Sequence, residues 1–147
     1  MTTYEIKHEI GIKGTPEAIF RALVEPKLLA QWWTSDTRGQ SEVGGMLEFW
    51  FGEYPQKMRV KALEANELVR WQGAEGMDEW EGTEFEFRLE PEAEQCLVHF
   101  TQSGWTKNTG MYAHCSTKWA VFLLSLKDLI EKGEGRPHPR DWQINHN

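Results

Sequence analysis

The stretch TPEAIFRALVEPKLLAQWW, residues 15–33, decides the architecture of this chain. Thr15 offers an N-cap hydroxyl and Pro16 suits the first helical position, so a helix is expected to begin here. Apolar residues then recur four positions apart along one stripe. The Glu25-Pro26 step interrupts that stripe, because the residue before a proline disfavours helical geometry. The stretch therefore predicts two short helices in succession.

A strand is predicted on the N-terminal side of these helices. From Tyr4 to Ile12 the apolar residues fall mostly on every second position, with charged residues in the opposite phase. This alternation is typical of a half-buried strand, and Gly14 ends it. His8 falls in the apolar phase, where a polar side chain needs a hydrogen-bonding partner.

A series of antiparallel strands is predicted after the helices. Gly44-Gly45 indicates a turn between a short strand and a more hydrophobic one, Met46 to Phe51, whose inward phase stays open because Trp50 is as bulky as its neighbours. Further alternating segments cover residues 57–62, 68–72, 83–90 and 96–102. Six or seven strands result.

The period changes near Gly110 to one apolar residue every three or four positions, which predicts one long amphipathic helix. Gly133 and Gly135 end this helix, and a tail of residues 136–147 follows. The order of strand, two short helices, antiparallel strands and long helix is an α+β arrangement, and we expect residues 1–147 to form a single domain.

A curved sheet wrapped around a long helix leaves a gap between them, and aromatic and aliphatic side chains would suit that gap to an apolar ligand. For each aromatic residue, filling of the core is the alternative. His8 would hold a ligand's polar end or be a hydrogen-bonded core histidine, and Arg70 would meet an anionic or carbonyl ligand or a surface carboxylate. The cavity candidates are His8, Trp33, Phe49, Phe51, Met58, Arg70, Trp71, Phe85, Phe87, Phe100, Tyr112 and Trp119.

An acidic stretch, residues 75–81, surrounds Trp80 between glycines 73, 76 and 82. Such a stretch is most simply a solvated loop, and the alternative is a lid over the mouth of the cavity with the glycines as pivots. Trp80, like Trp33 and Trp105, falls near the end of a predicted element, where an entrance would lie.

Composition excludes several function classes. The chain has 147 residues with 16 Lys and Arg against 23 Asp and Glu, and a net charge of −7 argues against nucleic-acid binding. The N-terminus lacks the unbroken apolar segment of a signal peptide, and no stretch suits membrane insertion. Two cysteines, Cys96 and Cys115, fit a reducing compartment. We therefore expect a cytoplasmic protein.

Catalytic and metal chemistry have no local signature in the sequence. Cys96 and His99 lie three apart on a predicted strand and point to opposite faces, so they cannot share a metal ion. Neither cysteine has a convincing activating base nearby, and no Gly-x-Ser-x-Gly motif occurs. We predict no metal, no cofactor and no assigned catalytic residue, and enzymatic activity stays an open question.

Six fragments of the sequence, in order along the chain, carry a resemblance to a known family. They are Thr15-Pro16-Glu17 with Ile19-Phe20, Leu29-Ala30-Gln31-Trp32-Trp33, Val43-Gly44-Gly45, Leu68-Val69-Arg70-Trp71, Thr101-Gln102-Ser103-Gly104-Trp105 and Leu126-Lys127-Asp128-Leu129-Ile130-Glu131-Lys132-Gly133. From about Tyr4 to Pro139 the chain resembles the START-like (SRPBCC, Bet v 1-like) helix-grip superfamily. Within that superfamily it is similar to single-domain proteins like the C-terminal domain of the activator of Hsp90 ATPase.

The resemblance implies a helix-grip fold, in which a curved antiparallel sheet wraps a long C-terminal helix, and it leaves three functions open. The first is a binding module for a small hydrophobic or aromatic ligand. The second is an aromatase or cyclase-like enzyme in which His8 or Arg70 acts on a bound carbonyl compound. The third is a chaperone-interaction domain whose acidic surface would bind a basic patch on the chaperone. An exposed strand edge or a surface tryptophan could also support a homodimer.

Overall fold

The computed structural model describes residues 2–145, and its first two helices begin where the sequence predicts. Helix α1 spans Pro16–Val24 and helix α2 spans Pro26–Trp32. The Thr15 hydroxyl accepts a hydrogen bond from the Ala18 N–H at 3.1 Å and caps α1. The backbone is extended at Glu25, which separates the two helices as its position before a proline predicts.

Seven antiparallel strands form one sheet. The strands are β1 (Tyr4–Ile12), β2 (Asp36–Gly39), β3 (Met46–Phe51), β4 (Tyr54–Glu64), β5 (Leu68–Gly73), β6 (Glu84–Pro91) and β7 (Cys96–Trp105). Their order across the sheet is β1-β7-β6-β5-β4-β3-β2, so the first strand pairs with the last. The predicted α+β helix-grip architecture is thereby confirmed, with seven strands.

Helix α3 (Met111–Lys132) lies against the inner face of this curved sheet. Its apolar stripe meets the sheet through Trp119, whose ring centroid is 4.2 Å from that of Phe100 on β7. The helix ends at Gly133, which adopts φ +83°, and the Gly133 N–H donates to the Leu129 carbonyl at 3.0 Å. None of the helices described among residues 2–145 is long and apolar enough to cross a bilayer.

The inward phase of β3 is fixed by its buried residues. Leu47 and Phe49 are fully buried, whereas Trp50 faces outward. The Arg38 guanidinium lies 4.4 Å from the Trp50 ring centroid, and the Trp50 indole N–H donates to the Glu48 carboxylate at 3.1 Å. Trp50 is therefore held on the outer face of the sheet, and Leu47 and Phe49 are the residues of β3 that face the core.

The segment after α3 returns to the body of the protein. The buried Ser125 hydroxyl donates to the Trp32 carbonyl at 2.8 Å and accepts from the Arg136 N–H at 2.7 Å. The His138 N–H then donates to the Trp33 carbonyl at 2.7 Å. At Gly135 an added Cβ would lie 2.5 Å from the Gln31 carbonyl oxygen, so only glycine fits this close approach. The tail thus becomes part of the wall described next.

Candidate functional site

A cavity of about 560 Å³ opens between the ends of β3 and β4, the first half of α3, the loop of residues 74–82 and the tail. This volume lies within the range of small-molecule sites. Its floor is aromatic, and its rim carries the exposed Tyr54 and Asn145. The cavity therefore sits at one end of the gap between helix and sheet.

Three indole rings from three different elements meet at the floor of the cavity. Trp33 follows α2, Trp80 ends a 3-10 turn (Asp78–Trp80) in the loop, and Trp119 lies on α3. Trp80 stacks on Trp33 with ring centroids 6.4 Å apart and on Trp119 at 6.2 Å. Trp33 and Trp119 are 5.0 Å apart. Together with Phe51 and Phe122 they present aromatic surface to the cavity.

Buried hydrogen bonds hold the backbone at Trp80 in place. The Thr83 hydroxyl donates to the Trp80 carbonyl at 2.7 Å and accepts from the Gln102 amide at 3.1 Å. The Gln102 carbonyl oxygen accepts in turn from the Trp119 indole N–H at 3.1 Å. These bonds join the loop, β7 and α3 beneath the floor of the cavity through Thr83, Gln102 and Trp119, which favours one fixed arrangement.

The beginning of the same loop is held to β4 by Gln56. The buried Gln56 side chain accepts from the Met77 N–H at 2.8 Å and donates to the Lys57 carbonyl at 3.0 Å. Gly76 passes directly over it with φ +151°, and an added Cβ would lie 2.3 Å from the Gln56 amide oxygen. The acidic stretch around Trp80 is therefore one wall of the cavity.

A polar cluster stands where α3 and the tail close the cavity. The Lys118 ammonium donates to Oδ2 of Asp141 and to the Trp142 carbonyl at 3.1 Å, and it lies 5.2 Å from the Phe122 ring centroid. The Asp141 side chain is 1% exposed. Its second oxygen, Oδ1, has no hydrogen-bond partner among residues 2–145, and Nδ1 of His138 is 3.6 Å away, beyond hydrogen-bond distance. This oxygen is fully buried and is therefore closed off from the open space of the cavity.

The thiol of Cys115 also borders the cavity. Burial raises its pKa from 9.0 to about 11, against a smaller lowering by the Trp80 side chain. The group is therefore a neutral thiol at physiological pH and a weak nucleophile. No cluster of metal-ligating side chains occurs among residues 2–145.

The structure brings only part of the predicted set to the cavity wall. Trp33, Phe51 and Trp119 line it. The expectation that the other core residues line it is corrected, because their side chains interdigitate and fill the rest of the gap. These buried residues are Phe49, Met58, Trp71, Phe85, Phe87 and Phe100.

His8 on β1 and Tyr112 on α3 lie away from the cavity. The His8 imidazole, through Nε2, bonds to the Ser116 carbonyl at 2.9 Å, and the Tyr112 hydroxyl donates to the Glu5 carbonyl at 2.7 Å. Both side chains therefore join β1 to α3. The expectation of cavity lining is corrected for both, because the backbone of the adjacent element supplies their partner.

Arg70 lies on the outer face of the sheet. Its Nη2 donates to Oε1 of Glu86 on β6 at 2.7 Å, and Glu86 stands directly opposite in the register. Its inward neighbour on β5 is Trp71, which is fully buried. The placement of Arg70 in the cavity is therefore corrected, and the surface-carboxylate alternative describes its position.

Sequence reasoning missed the polar end of the cavity. Lys118 adjoins Trp119 on α3 without breaking the apolar stripe, and Asp141 and His138 belong to an aperiodic tail. Within the tail, Trp142 is the one large aromatic residue, and such a residue is the kind of signal that indicates packing against the body of a protein. Nothing local in the sequence indicates that the carboxylate of Asp141 meets Lys118.

Comparison with known proteins yields a family match. The family model for Activator of Hsp90 ATPase homolog 1-like protein matches residues 13–131. No curated protein matches the chain.

Solved structures share the fold. The Aha1 dimer from Colwellia psychrerythraea, a solution structure, is 46% identical with a TM-score of 0.84, covering 90% of this chain and 99% of that one. Protein SSP2350 from Staphylococcus saprophyticus is 20% identical with a TM-score of 0.77, covering 91% and 97%. Protein MLL2253 from Mesorhizobium loti is 21% identical with a TM-score of 0.77, covering 89% and 99%. The two more distant proteins show a common fold only.

Proposed function

The chain belongs to the Activator of Hsp90 ATPase homolog 1-like family, and from that premise we propose that it is a binding module for a small hydrophobic or aromatic ligand. The ligand would occupy the cavity between the sheet, the loop of residues 74–82, α3 and the tail. The observation that carries this proposal is the floor formed by Trp33, Trp80 and Trp119 under a volume of about 560 Å³.

Physical chemistry supports an aromatic occupant. Indole faces gain from offset-stacked or edge contacts with another ring, beyond the gain from burying apolar area. The aromatic side chains that could have closed this space, such as Trp71 and Phe87, already pack against one another deeper in the core. The core is therefore well packed although the cavity stays open.

Direct titration with a neutral fluorescent probe, N-phenyl-1-naphthylamine, tests the proposal. We expect stoichiometric binding of this probe with quenching of tryptophan fluorescence. Met111→Trp should weaken binding at least tenfold, because Met111 lines the cavity at the start of α3 and a larger side chain would fill it. Leu124→Trp is the matched control, since Leu124 lies on the same helix and is 55% exposed.

Two results would contradict the proposal. One is the absence of saturable binding to the wild-type protein. The other is equal weakening by the two variants, because a solvent-facing tryptophan cannot obstruct the cavity.

A second candidate function is a homodimeric chaperone-interaction domain. It is supported by the 46% identity to a protein described as an Aha1 dimer. The net charge of −7 would favour a basic partner surface. Light scattering would measure the mass in solution, and a titration against purified Hsp90 would measure binding that weakens as salt rises. This candidate would be contradicted if light scattering gave the mass of a monomer and the titration showed no salt-sensitive complex with Hsp90.

A further inference from the structure

We infer that the end of the tail, residues 143–145, is a strap that closes over the cavity and controls how fast a ligand enters and leaves. This inference rests on the proposed function, because it describes access to the same cavity. Gln143, Ile144 and Asn145 all line that cavity. They lie outside residues 13–131, the part of the chain that the family model matches. Control of access by this strap is therefore not implied by the family match.

The tail that leads to the strap is anchored to the body of the protein. The His138 N–H donates to the Trp33 carbonyl at 2.7 Å, and the His138 carbonyl accepts from the Ser35 N–H at 3.0 Å. The Asp141 side chain is 1% exposed and is paired with the Lys118 ammonium. Breaking a buried ion pair is costly, so the backbone up to Asp141 stays in place. Any movement of the strap therefore begins after this residue.

The strap itself is held by few contacts. Among residues 2–145, its one hydrogen bond to the rest of the protein is donated by the Asn145 side-chain amide to Nδ1 of His114, at 3.3 Å and at an exposed position. The side chains of Gln143 and Asn145 are exposed, whereas Ile144 is half-buried. An exposed hydrogen bond and one half-buried isoleucine contribute little net stability. The strap can therefore open while the fold stays intact.

Both ends of the strap are bonded to α3 beside the cavity. Asn145 is bonded to His114 in the first turn of α3, and both residues line the cavity. The preceding residue pair, Lys118 with Asp141, joins the tail to the same helix one turn further along. The strap thus occupies part of the mouth, and Ile144 gives it an apolar surface toward the cavity. Contact with an apolar ligand favours the closed position, so release requires the strap to open.

Stopped-flow fluorescence with N-phenyl-1-naphthylamine measures the association and dissociation rate constants separately. Truncation after Trp142 removes the strap and keeps the main-chain oxygen of Trp142, which accepts from Lys118. Both rate constants should rise about tenfold or more, because the strap no longer has to open. The dissociation constant should change far less than either rate constant, because the aromatic floor is unchanged.

The opposite perturbation holds the strap closed. In His114→Cys/Asn145→Cys, made together with Cys115→Ala so that the neighbouring thiol cannot react, a short bismaleimide joins the two new thiols. The remaining cysteine, Cys96, is buried. Both rate constants should fall about tenfold or more relative to the same protein capped with N-ethylmaleimide. That capped protein is the matched control, because it carries the same substitutions and similar bulk without the bridge.

Two full-length variants complete the test. Ile144→Ser/Asn145→Ala removes the contacts of the strap without shortening the chain, so it should raise both rate constants even if the truncated protein does not fold. Trp142→Ala is the control for a change in the tail. Trp142 is 63% exposed and lies outside the lining of the cavity, so this variant should leave both rate constants unchanged.

The possible outcomes separate the two proposals. A rise in the dissociation rate constant alone would overturn the inference, because it would mean that residues 143–145 contact the ligand without restricting its entry. Unchanged rate constants in the truncated protein or in the bridged protein would also overturn it, and the proposed function would stand because the probe still binds. If the probe binds neither the wild type nor the truncated protein, both proposals fall.

Discussion

Replacement of Trp80 by alanine should lower the free energy of unfolding as much as truncation of a core tryptophan does, although Trp80 lies in a loop. Trp80 is 4% exposed, and its ring lies against Trp33, Trp119 and Phe85, the last with centroids 5.0 Å apart. Truncation of a buried tryptophan to alanine costs about 3–5 kcal/mol. We expect about 3 kcal/mol, the low end, because a loop can settle into part of the vacated space.

Urea unfolding followed by far-UV circular dichroism measures this change. A loss of about 3 kcal/mol corresponds to a lower melting temperature by roughly 6–12 °C for a chain of this size. Trp142→Ala is the control, since Trp142 is 63% exposed and its one described aromatic contact is with the Arg136 guanidinium. That variant should lose less than about 1 kcal/mol.

Equal losses of stability in Trp80→Ala and Trp142→Ala would contradict this prediction. Such a result would mean that the loop of residues 74–82 does not hold its indole against the floor in solution. The cavity would then lack one of its three tryptophans, and the proposed ligand site would lose its basis.

Three further predictions follow from individual side chains. Ser125→Ala should cost about 1–3 kcal/mol and hasten tryptic cleavage of the tail, measured by limited proteolysis, because the Arg136 N–H loses its buried acceptor. Equal cleavage rates would contradict this. Since the folded-state pKa of Cys115 is raised from 9.0 to about 11, the wild-type free energy of unfolding should fall relative to Cys115→Ala as pH rises from 9 to 11. If urea unfolding gave the wild type and Cys115→Ala the same dependence of the free energy of unfolding on pH, this prediction would be wrong. Arg70→Ala should change stability by less than about 1 kcal/mol and leave probe binding unaltered, because its partner Glu86 stands on the outer face. Loss of probe binding in Arg70→Ala would contradict the outer position of Arg70 and indicate that it contacts the ligand.

The fold could be predicted because its signals are local. The N-cap at Thr15, the proline steps and the glycine stop at Gly133 each act within a few residues, and each ends or begins an element as expected. The alternation along β6 and β7 likewise separates buried from exposed side chains without help from distant parts of the chain. Such patterns are set by backbone geometry alone.

The candidate site was only partly predictable because its shape depends on which side chains fill the gap. Phe49 and Phe51 share a phase on β3, yet Phe49 packs at 4.1 Å from the Trp33 ring and only Phe51 reaches the cavity. His8 satisfied the pattern of a ligand contact, but its partner is a helix carbonyl that no sequence period reveals. Asp141 lies in a tail whose position depends on tertiary hydrogen bonds, so its pairing with Lys118 had no local signal.

Two-dimensional ¹H–¹⁵N NMR of the indole N–H signals of the eight tryptophans, recorded during titration with 2-naphthol, shows whether a ligand enters the cavity. We expect saturable shifts of the Trp33, Trp80 and Trp119 signals, with the outward-facing Trp50 and Trp142 unchanged. Shifts confined to Trp50 or Trp142, or no shift at a saturating concentration, would contradict a ligand site at this aromatic floor.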